Sequence, residues 1–359
     1  MLVPKSSISF ILAATTAISF SASAESDYVN SLEQRIADLE AKVNLEPVSS
    51  IGDRIAFGGV VEVEAATGDS EDFSDRSYSS LSVATVELAL SAELSEKVGA
   101  EIVMLYEEGD TPFDVDVATL RLDQLFGPVN LTVGKQYLPF GRFETALVND
   151  TLALELGETN KTAGLFAMEQ GGLSGGLYLF DGDVDREKHL ENWGLTFSFG
   201  EETWNIGVDY ISSLAESDSL SEAPEAGFEY QSDDGGISVA ANWERDNVVF
   251  MGEYLTAIDD IVWSNGITSL NAEPSAIHLE VSLGTDIQGR NYTFAVAAQQ
   301  TDEAGGALPE QRLSLGCSTT VYDGLGVGLE FWHDVDYDQN EGGSGNSANN
   351  IVLQLAAEI

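Results

Sequence analysis

The chain of 359 residues has one cysteine, Cys317, three histidines, and only 15 lysines and arginines against 61 aspartates and glutamates. A single cysteine excludes an intrachain disulfide and a cysteine-rich metal site. A formal net charge of -46 excludes nucleic acid as a partner, since the phosphate backbone would repel such a surface. No stretch reaches the roughly 18 to 20 uninterrupted apolar residues of a spanning helix, so a membrane role would have to rest on strands. With only His189, His278 and His333 available and no G-x-S-x-G sequence, a Ser/His hydrolase site lacks its nucleophile elbow. The sequence therefore predicts no enzyme, no metal and no cofactor. Acidity of this degree would fit disorder, but 43% hydrophobic residues set in a period of two argue for an ordered scaffold with acidic loops.

Lys5, the apolar run Ile8 to Phe20 and Ala22-Ser23-Ala24 predict a cleaved signal peptide over 1–24. In the following segment, 25–50, Val29, Leu32, Ile36, Leu39 and Val43 are spaced 3, 4, 3, 4 with charges between them. These are a and d positions of a short helix over 29–43, about two heptads long and marginal alone. It either packs on copies of itself, which would make a homotrimer, or docks on its own chain; Pro47 ends it.

The rest, 51–359, alternates. Ala84, Val86, Leu88, Leu90, Ala92 and Leu94 take every second position, with Thr85, Glu87, Ser91 and Glu93 in slots between them, and Ile351, Leu353, Leu355, Ala357 and Ile359 repeat the pattern at the end. Such strands have one apolar and one polar face. Short turns such as Gly127-Pro128, Gly171-Gly172 and Tyr322-Asp323 alternate with longer polar loops, the parity of outer-membrane barrels. A candidate strand at 228–232 would break that parity. Assigning 213–235 to one long acidic loop leaves sixteen strands, from 54–66 to 350–359. The predicted fold is an all-β transmembrane antiparallel barrel in the outer membrane, in contact with its lipid; the alternative is a secreted β-sandwich binding protein.

A basic residue at the bilayer midplane on the lipid face costs about 2–4 kcal/mol, so charged slots are predicted to point inward. Ile206, Val208, Ile277, Leu279, Val281, Leu283, Leu329 and Phe331 then face lipid, with Tyr106, Trp193, Tyr210 and Tyr292 near strand ends as interfacial aromatics. The lumen receives Glu62, Glu64, Glu87, Glu101, Asp123, Asp209, Glu253, Glu280 and Glu330 against Arg121, Arg312 and His278. Of these, Glu62, Glu64, Glu87, Asp209, Glu280 and Glu330 are the candidates for setting selectivity, in favour of cations. Lys135 falls on the lipid face by strict alternation and is expected at the rim or at a bulge.

The longest patterned irregular stretch, 138–160, is too apolar for a solvated loop. It is predicted to fold into the barrel and narrow it, with Arg142, Asp150, Glu155 and Glu158, joined by Lys161 and Arg121, as solute-lining charges. The runs Asp181-Gly182-Asp183-Val184-Asp185 and Asp334-Val335-Asp336-Tyr337-Asp338 resemble the start of a calcium loop. The second has Gln339 and Gly345 where an EF-hand needs Gly and Glu, which rejects that motif.

The block Gly134-Lys135-Gln136-Tyr137-Leu138-Pro139-Phe140-Gly141, followed by Glu144-Thr145 and Leu154-Glu155-Leu156-Gly157-Glu158-Thr159, resembles the LbtU-type siderophore porins of Gram-negative outer membranes. Weaker matches at Gly58–Val63 and Glu253–Ala257 extend the resemblance to 52–359. It implies a barrel that takes up ferric siderophore without the plug of an energised receptor. An acidic lumen fits poorly with an anionic ferric siderophore. Either the solute is neutral or cationic, or a basic patch near Arg121, Arg142 and Lys161 reverses the sign locally. The expected function is uptake of a small solute, an iron–siderophore complex first, with a general cation-preferring porin as the alternative.

Overall fold

A computed structural model describes residues 54–359 apart from 70–72, 74–75, 185–189, 223–228, 233, 266, 268 and 305–306. The expected signal peptide and the 25–50 helix lie outside the described residues. In chain order the strands are β1 (Ile55–Asp69), β2 (Ser77–Ser95), β3 (Val98–Tyr106), β4 (Asp114–Phe126), β5 (Val129–Tyr137), β6 (Asn160–Gln170), β7 (Leu173–Phe180), β8 (Asn192–Glu201), β9 (Trp204–Ile211) and β10 (Glu229–Ser232). They continue with β11 (Gly236–Arg245), β12 (Val248–Ala257), β13 (Ile261–Ser264), β14 (Ser269–Ala272), β15 (Ser275–Ile287), β16 (Arg290–Asp302), β17 (Gln311–Tyr322), β18 (Leu325–Val335) and β19 (Ser347–Glu358).

All except β10, β13 and β14 form one closed barrel, in which β1 pairs antiparallel with β2 on one side and β19 on the other. Closure leaves no free sheet edge and excludes the β-sandwich. The count is the expected sixteen. The 228–232 region does form a strand, β10, but it pairs with β13 and β14 in a small separate sheet built from two long connections, so barrel parity survives.

Short turns take the positive-φ conformations that match strand twist. Gly171 and Gly172 have φ of 61° and 79°, a pairing glycine adopts without steric cost. The faces sort as predicted. Leu279, Val281 and Leu283 are exposed on the outer surface of β15, while His278, Glu280 and Ser282 between them are buried inside. On the outer face of β8 and β9, Trp193 and Tyr210 pack at a tilt, with ring centroids 4.9 Å apart. Lys135 pairs across from the exposed Thr162 near the long-loop end of β5, and its Nζ donates to the Val115 carbonyl at 2.7 Å. That is the rim placement, with the ammonium turned back to backbone instead of into lipid.

The apolar core sits inside the long-loop end of the barrel. Leu138, Phe140, Leu156, Tyr178, Phe180, Ile211, Leu214 and Leu255 pack there, joined by residues of the connections above. A barrel normally buries polar side chains inward. Here an apolar plug fills one side because two inter-strand segments fold into it.

Placing arginine on the outer belt tests the orientation: V281R is expected to lower folding stability in phospholipid vesicles by about 2–4 kcal/mol, read from denaturant titration. An unchanged midpoint would mean that this face does not meet lipid.

Candidate functional site

The segment joining β5 to β6 is closed at its neck by the Leu138 N–H, which donates to the Thr159 carbonyl at 2.8 Å. Between these points the backbone is mostly neither strand nor helix, so its N–H groups need acceptors from elsewhere. Inward-facing side chains of the barrel supply them. Asp209 on β9 accepts from the Gly141 N–H at 3.3 Å. Glu253 on β12 accepts from the Arg142 and Phe143 N–H groups at 2.9 and 2.7 Å. Glu280 on β15 accepts from the Thr145 hydroxyl and the Ala146 N–H at 2.6 and 2.9 Å. Glu330 on β18 accepts from the Val148 and Asn149 N–H groups at 2.7 and 2.8 Å. The chain then turns back, and the Leu152 N–H donates to Gln299 on β16 at 2.7 Å. The segment therefore runs round the inner wall from β9 to β18, with every third step forked on one carboxylate.

Local sequence makes this path feasible. Gly141 has φ of 86°, and the Phe143 ring lies where its Cβ would be, so no other residue fits the turn. Leu147 packs on Ala295 and Ala297, and Val148 on Trp332, Val352 and Ala66, which carries the tip to β1. Thr151 caps α1 (Leu152–Gly157) by accepting the Leu154 N–H at 3.0 Å. Leu152, Ala153 and Leu156 are fully buried. A second connection covers α1: in α2 (Asp218–Glu222), the Asp218 N–H donates to the Glu158 carbonyl at 2.8 Å.

The expected lining charges do not form one group. Arg142 binds Asp209 at 3.2 Å and also donates to Thr196. Glu155 binds Arg312 at 3.0 Å, and Arg312 binds Asp334 at 2.9 Å. Lys161 is buried between Glu216 at 3.1 Å and Asp183 at 3.0 Å, at the long-loop end. Arg121 lies over Gly99 beside the β2–β3 turn, paired with Glu93 at 2.8 Å and Asp123 at 3.2 Å. The three cations Arg121, Arg142 and Lys161 thus occupy separate places, each matched by acids, and make no common basic patch. Two of the three aspartates in the 334–338 run are taken up within the protein: Asp334 of β18 holds Arg312 of β17, and Asp336 accepts from the Tyr337 and Ser344 N–H groups of its own loop.

Next round the barrel, Glu62 and Glu64 of β1 and Glu87 of β2 belong to an inner wall to which, among the described residues, the segment donates no hydrogen bond. Glu64 accepts from Gln354 at 3.0 Å. Oε2 of Glu62, Oδ2 of Asp150 and Oε2 of Glu158 are buried without a donor among the described residues. Asp150 and Glu158 lie outside the strands, and burial raises both pKa values well above the usual carboxylate range. For Asp150 the charges of Glu158, Glu155 and Glu107 add to it and Arg312 opposes it. Among the described residues no three His, Cys, Asp or Glu side chains converge as metal ligands. Sequence reasoning placed Asp209, Glu253, Glu280 and Glu330 inward but missed what they hold, and it missed Gln299 and Thr145 altogether. Apart from the Thr145 hydroxyl on Glu280 and the side chains on Asp209, the partners are backbone N–H groups, which leave no residue-type signal.

No family model matches the chain. It is 26% identical over 231 residues to a UPF0422 protein of Coxiella burnetii, a match covering 59% of this chain and 49% of that relative. The chain thus spans about half the length of that curated relative. Among solved structures it resembles the outer membrane channel DcaP of Acinetobacter baumannii (TM-score 0.59, 13% identity, 85% of this chain and 97% of that one). It also resembles an anion-selective porin from Comamonas acidovorans (TM-score 0.60, 11% identity, 85% and 99%). At these identities the likeness concerns the fold.

Removing an acceptor leaves two buried N–H groups unpaired, at about 1–3 kcal/mol each. E253A and E330A are expected to speed amide hydrogen exchange about tenfold or more at 142–143 and 148–149 respectively, with barrel strands unchanged. Equal protection in both variants would show that the carboxylates do not hold the segment.

Proposed function

We propose that the chain is a porin-like diffusion channel of the Gram-negative outer membrane, narrowed by the 138–160 segment and selective for cations over anions. One observation carries this reading: the segment hydrogen-bonds the carboxylates of β9 to β18 and, among the described residues, none of Glu62, Glu64 and Glu87 on the inward face of β1 and β2, so acids remain on that wall and, as Asp150 and Glu158, on the segment itself. Negative groups along a passage attract cations and repel anions. The cationic side chains that could offset them, Arg142, Lys161, Arg312 and Arg121, are each held by acids.

The finer reading is passage of an iron–siderophore complex. It is supported by the resemblance of 134–159 to siderophore porins, and that block is the one that folds against the lumen wall. The charge pattern then calls for a ferric complex that is neutral or positive overall. A homotrimer through 29–43 and export by a signal peptide over 1–24 belong to the same proposal; chemical crosslinking in detergent giving only a monomer would refute the trimer.

The deciding measurement is single-channel conductance of the purified chain in a planar bilayer. A reversal potential in a salt gradient is expected to report cation preference, and ferric siderophores of low or positive charge to reduce the current. Anion preference would overturn the reading; no effect from any siderophore would leave a general cation porin. Because the Asp150 and Glu158 carboxyls take up protons at higher pH than ordinary carboxylates, cation preference is expected to fall early as the solution is acidified. A reversal potential constant from mildly alkaline to mildly acidic solution would count against their role.

A further inference from the structure

Beside the 142–144 stretch of the segment, four neighbouring strands, β9, β11, β12 and β15, present two successive inward rows. One row is Gly207, Ala240, Glu253 and His278; the next, nearer the short turns, is Asn205, Asn242, Met251 and Glu280. Two small residues in the first row leave the wall hollow there. Arg142 lies against Gly207, where any Cβ would come within 2.8 Å of its Nε, so only glycine lets the arginine follow the wall. The result is a recess lined by Arg142, Glu144, Asn205, Asn242, Met251 and His278. It holds about 290 Å³, part of it continuous with the open lumen.

The polar groups of this recess are accessible and keep hydrogen-bonding capacity. Arg142 is 26% exposed, and among the described residues only its Nη2 is bonded, to Thr196 and Asp209, which leaves the N–H groups of Nε and Nη1. Glu144 is exposed; its Oε2 accepts from Asn242 Nδ2 at 2.8 Å, which leaves Glu144 Oε1 and Asn242 Oδ1 as acceptors. The half-buried Asn205 amide makes no hydrogen bond among the described residues. His278 is 2% exposed, its Nε2 stands 3.4 Å from Glu280 Oε2, and neither ring nitrogen has a hydrogen-bond partner among the described residues. A buried imidazole without a partner is costly, and this one borders the recess.

Charge narrows the class of ligand. An anion would meet Arg142, whose charge Asp209 already answers, with Glu144, Glu253 and Glu280 around it. A cation would gain Glu144 but meet the guanidinium in the same recess. A zwitterion would bring its carboxylate to the same surplus of acids. Adjacent hydroxyls carry no charge, and each both donates and accepts, which matches a lining where spare donors and acceptors are interleaved. Met251 and Ala240 offer a small apolar surface for ring C–H groups.

Resting on the channel reading above for access to the lumen, we propose that this recess is a binding subsite for a neutral polyhydroxy solute of the carbohydrate class. One edge of the ring sits in it, with hydroxyls accepting from Arg142 and Asn205 and donating to Glu144 and Asn242.

The test uses the full chain in planar bilayers, once its potassium current has been recorded. Glucose, glycine and a hydroxyl-free polyether of similar size are added separately. Glucose is expected to reduce the current saturably, with half-effect at a concentration about tenfold or more below that of either other compound. R142K keeps the charge beside Asp209 but loses the planar fork, and is expected to weaken the glucose effect about tenfold; N205A, which removes no tether of the segment, is expected to weaken it about fivefold. Heat-modifiable gel migration confirms a folded barrel in each variant. A conducting channel in which glucose acts no better than the polyether would overturn the subsite and leave the channel reading intact. So would a stronger effect of glycine, or a glucose effect undiminished in both variants. A folded chain that conducts no ions would overturn both.

Discussion

An irregular stretch of backbone inside a barrel must find acceptors for its N–H groups, and that requirement shapes this molecule. Water could serve in a wide pore, but the segment at 138–160 is pressed against the wall by buried leucines and valines. The acceptors are therefore side chains, and at three of the five positions one carboxylate receives two donors. A carboxylate suits this role because it has two oxygens with several lone-pair directions and only accepts. Hydrogen bonds to an ionised acceptor are also the stronger kind. The spacing of the forks follows the curvature of the wall, one inward position on each of several strands.

Much of the acidity of the lumen thus becomes structural. Glu253 illustrates the change: its two oxygens take two backbone N–H groups and the Ser238 hydroxyl, which leaves little of it for a solute. Glu280 likewise uses both oxygens on the segment, whereas Glu330 takes both backbone N–H groups on Oε2 alone. The inward face of β1 and β2, with Glu62, Glu64 and Glu87, receives no hydrogen bond from the segment among the described residues, and the proposed selectivity rests there. The asymmetry arises from the path of one loop, and it divides a lumen that alternation alone would make uniform. Cations suffer the same division. Arg312 bridges Glu155 of the segment to Asp334 of β18, so its charge is spent on holding α1 in place.

The strands were legible because barrel physics leaves a strong periodic signal. Each of the sixteen expected strands appears, and Leu279 with His278, or Leu329 with Glu330, fall on the faces that the cost of charge in lipid assigns. Turn parity keeps the long-loop strand β10 out of the barrel, and its pairing with β13 agrees with that assignment. The infolding of 138–160 was suggested by its apolar content. Its route was not, because the sequence positions of Glu253, Glu280 and Glu330 relative to 142–149 encode no contact; they meet only after the sheet has closed. The suggested basic patch likewise dissolves once Arg121 is seen at the short-turn end and Lys161 at the other.

By itself the sequence determined a closed, two-faced sheet of sixteen strands with acids inward, since period-two alternation and turn parity are local properties read along the chain. Only the tertiary structure decided which of those acids bind the protein's own backbone and which do not. That choice depends on contacts between residues more than a hundred positions apart, made by main-chain atoms that every residue carries alike.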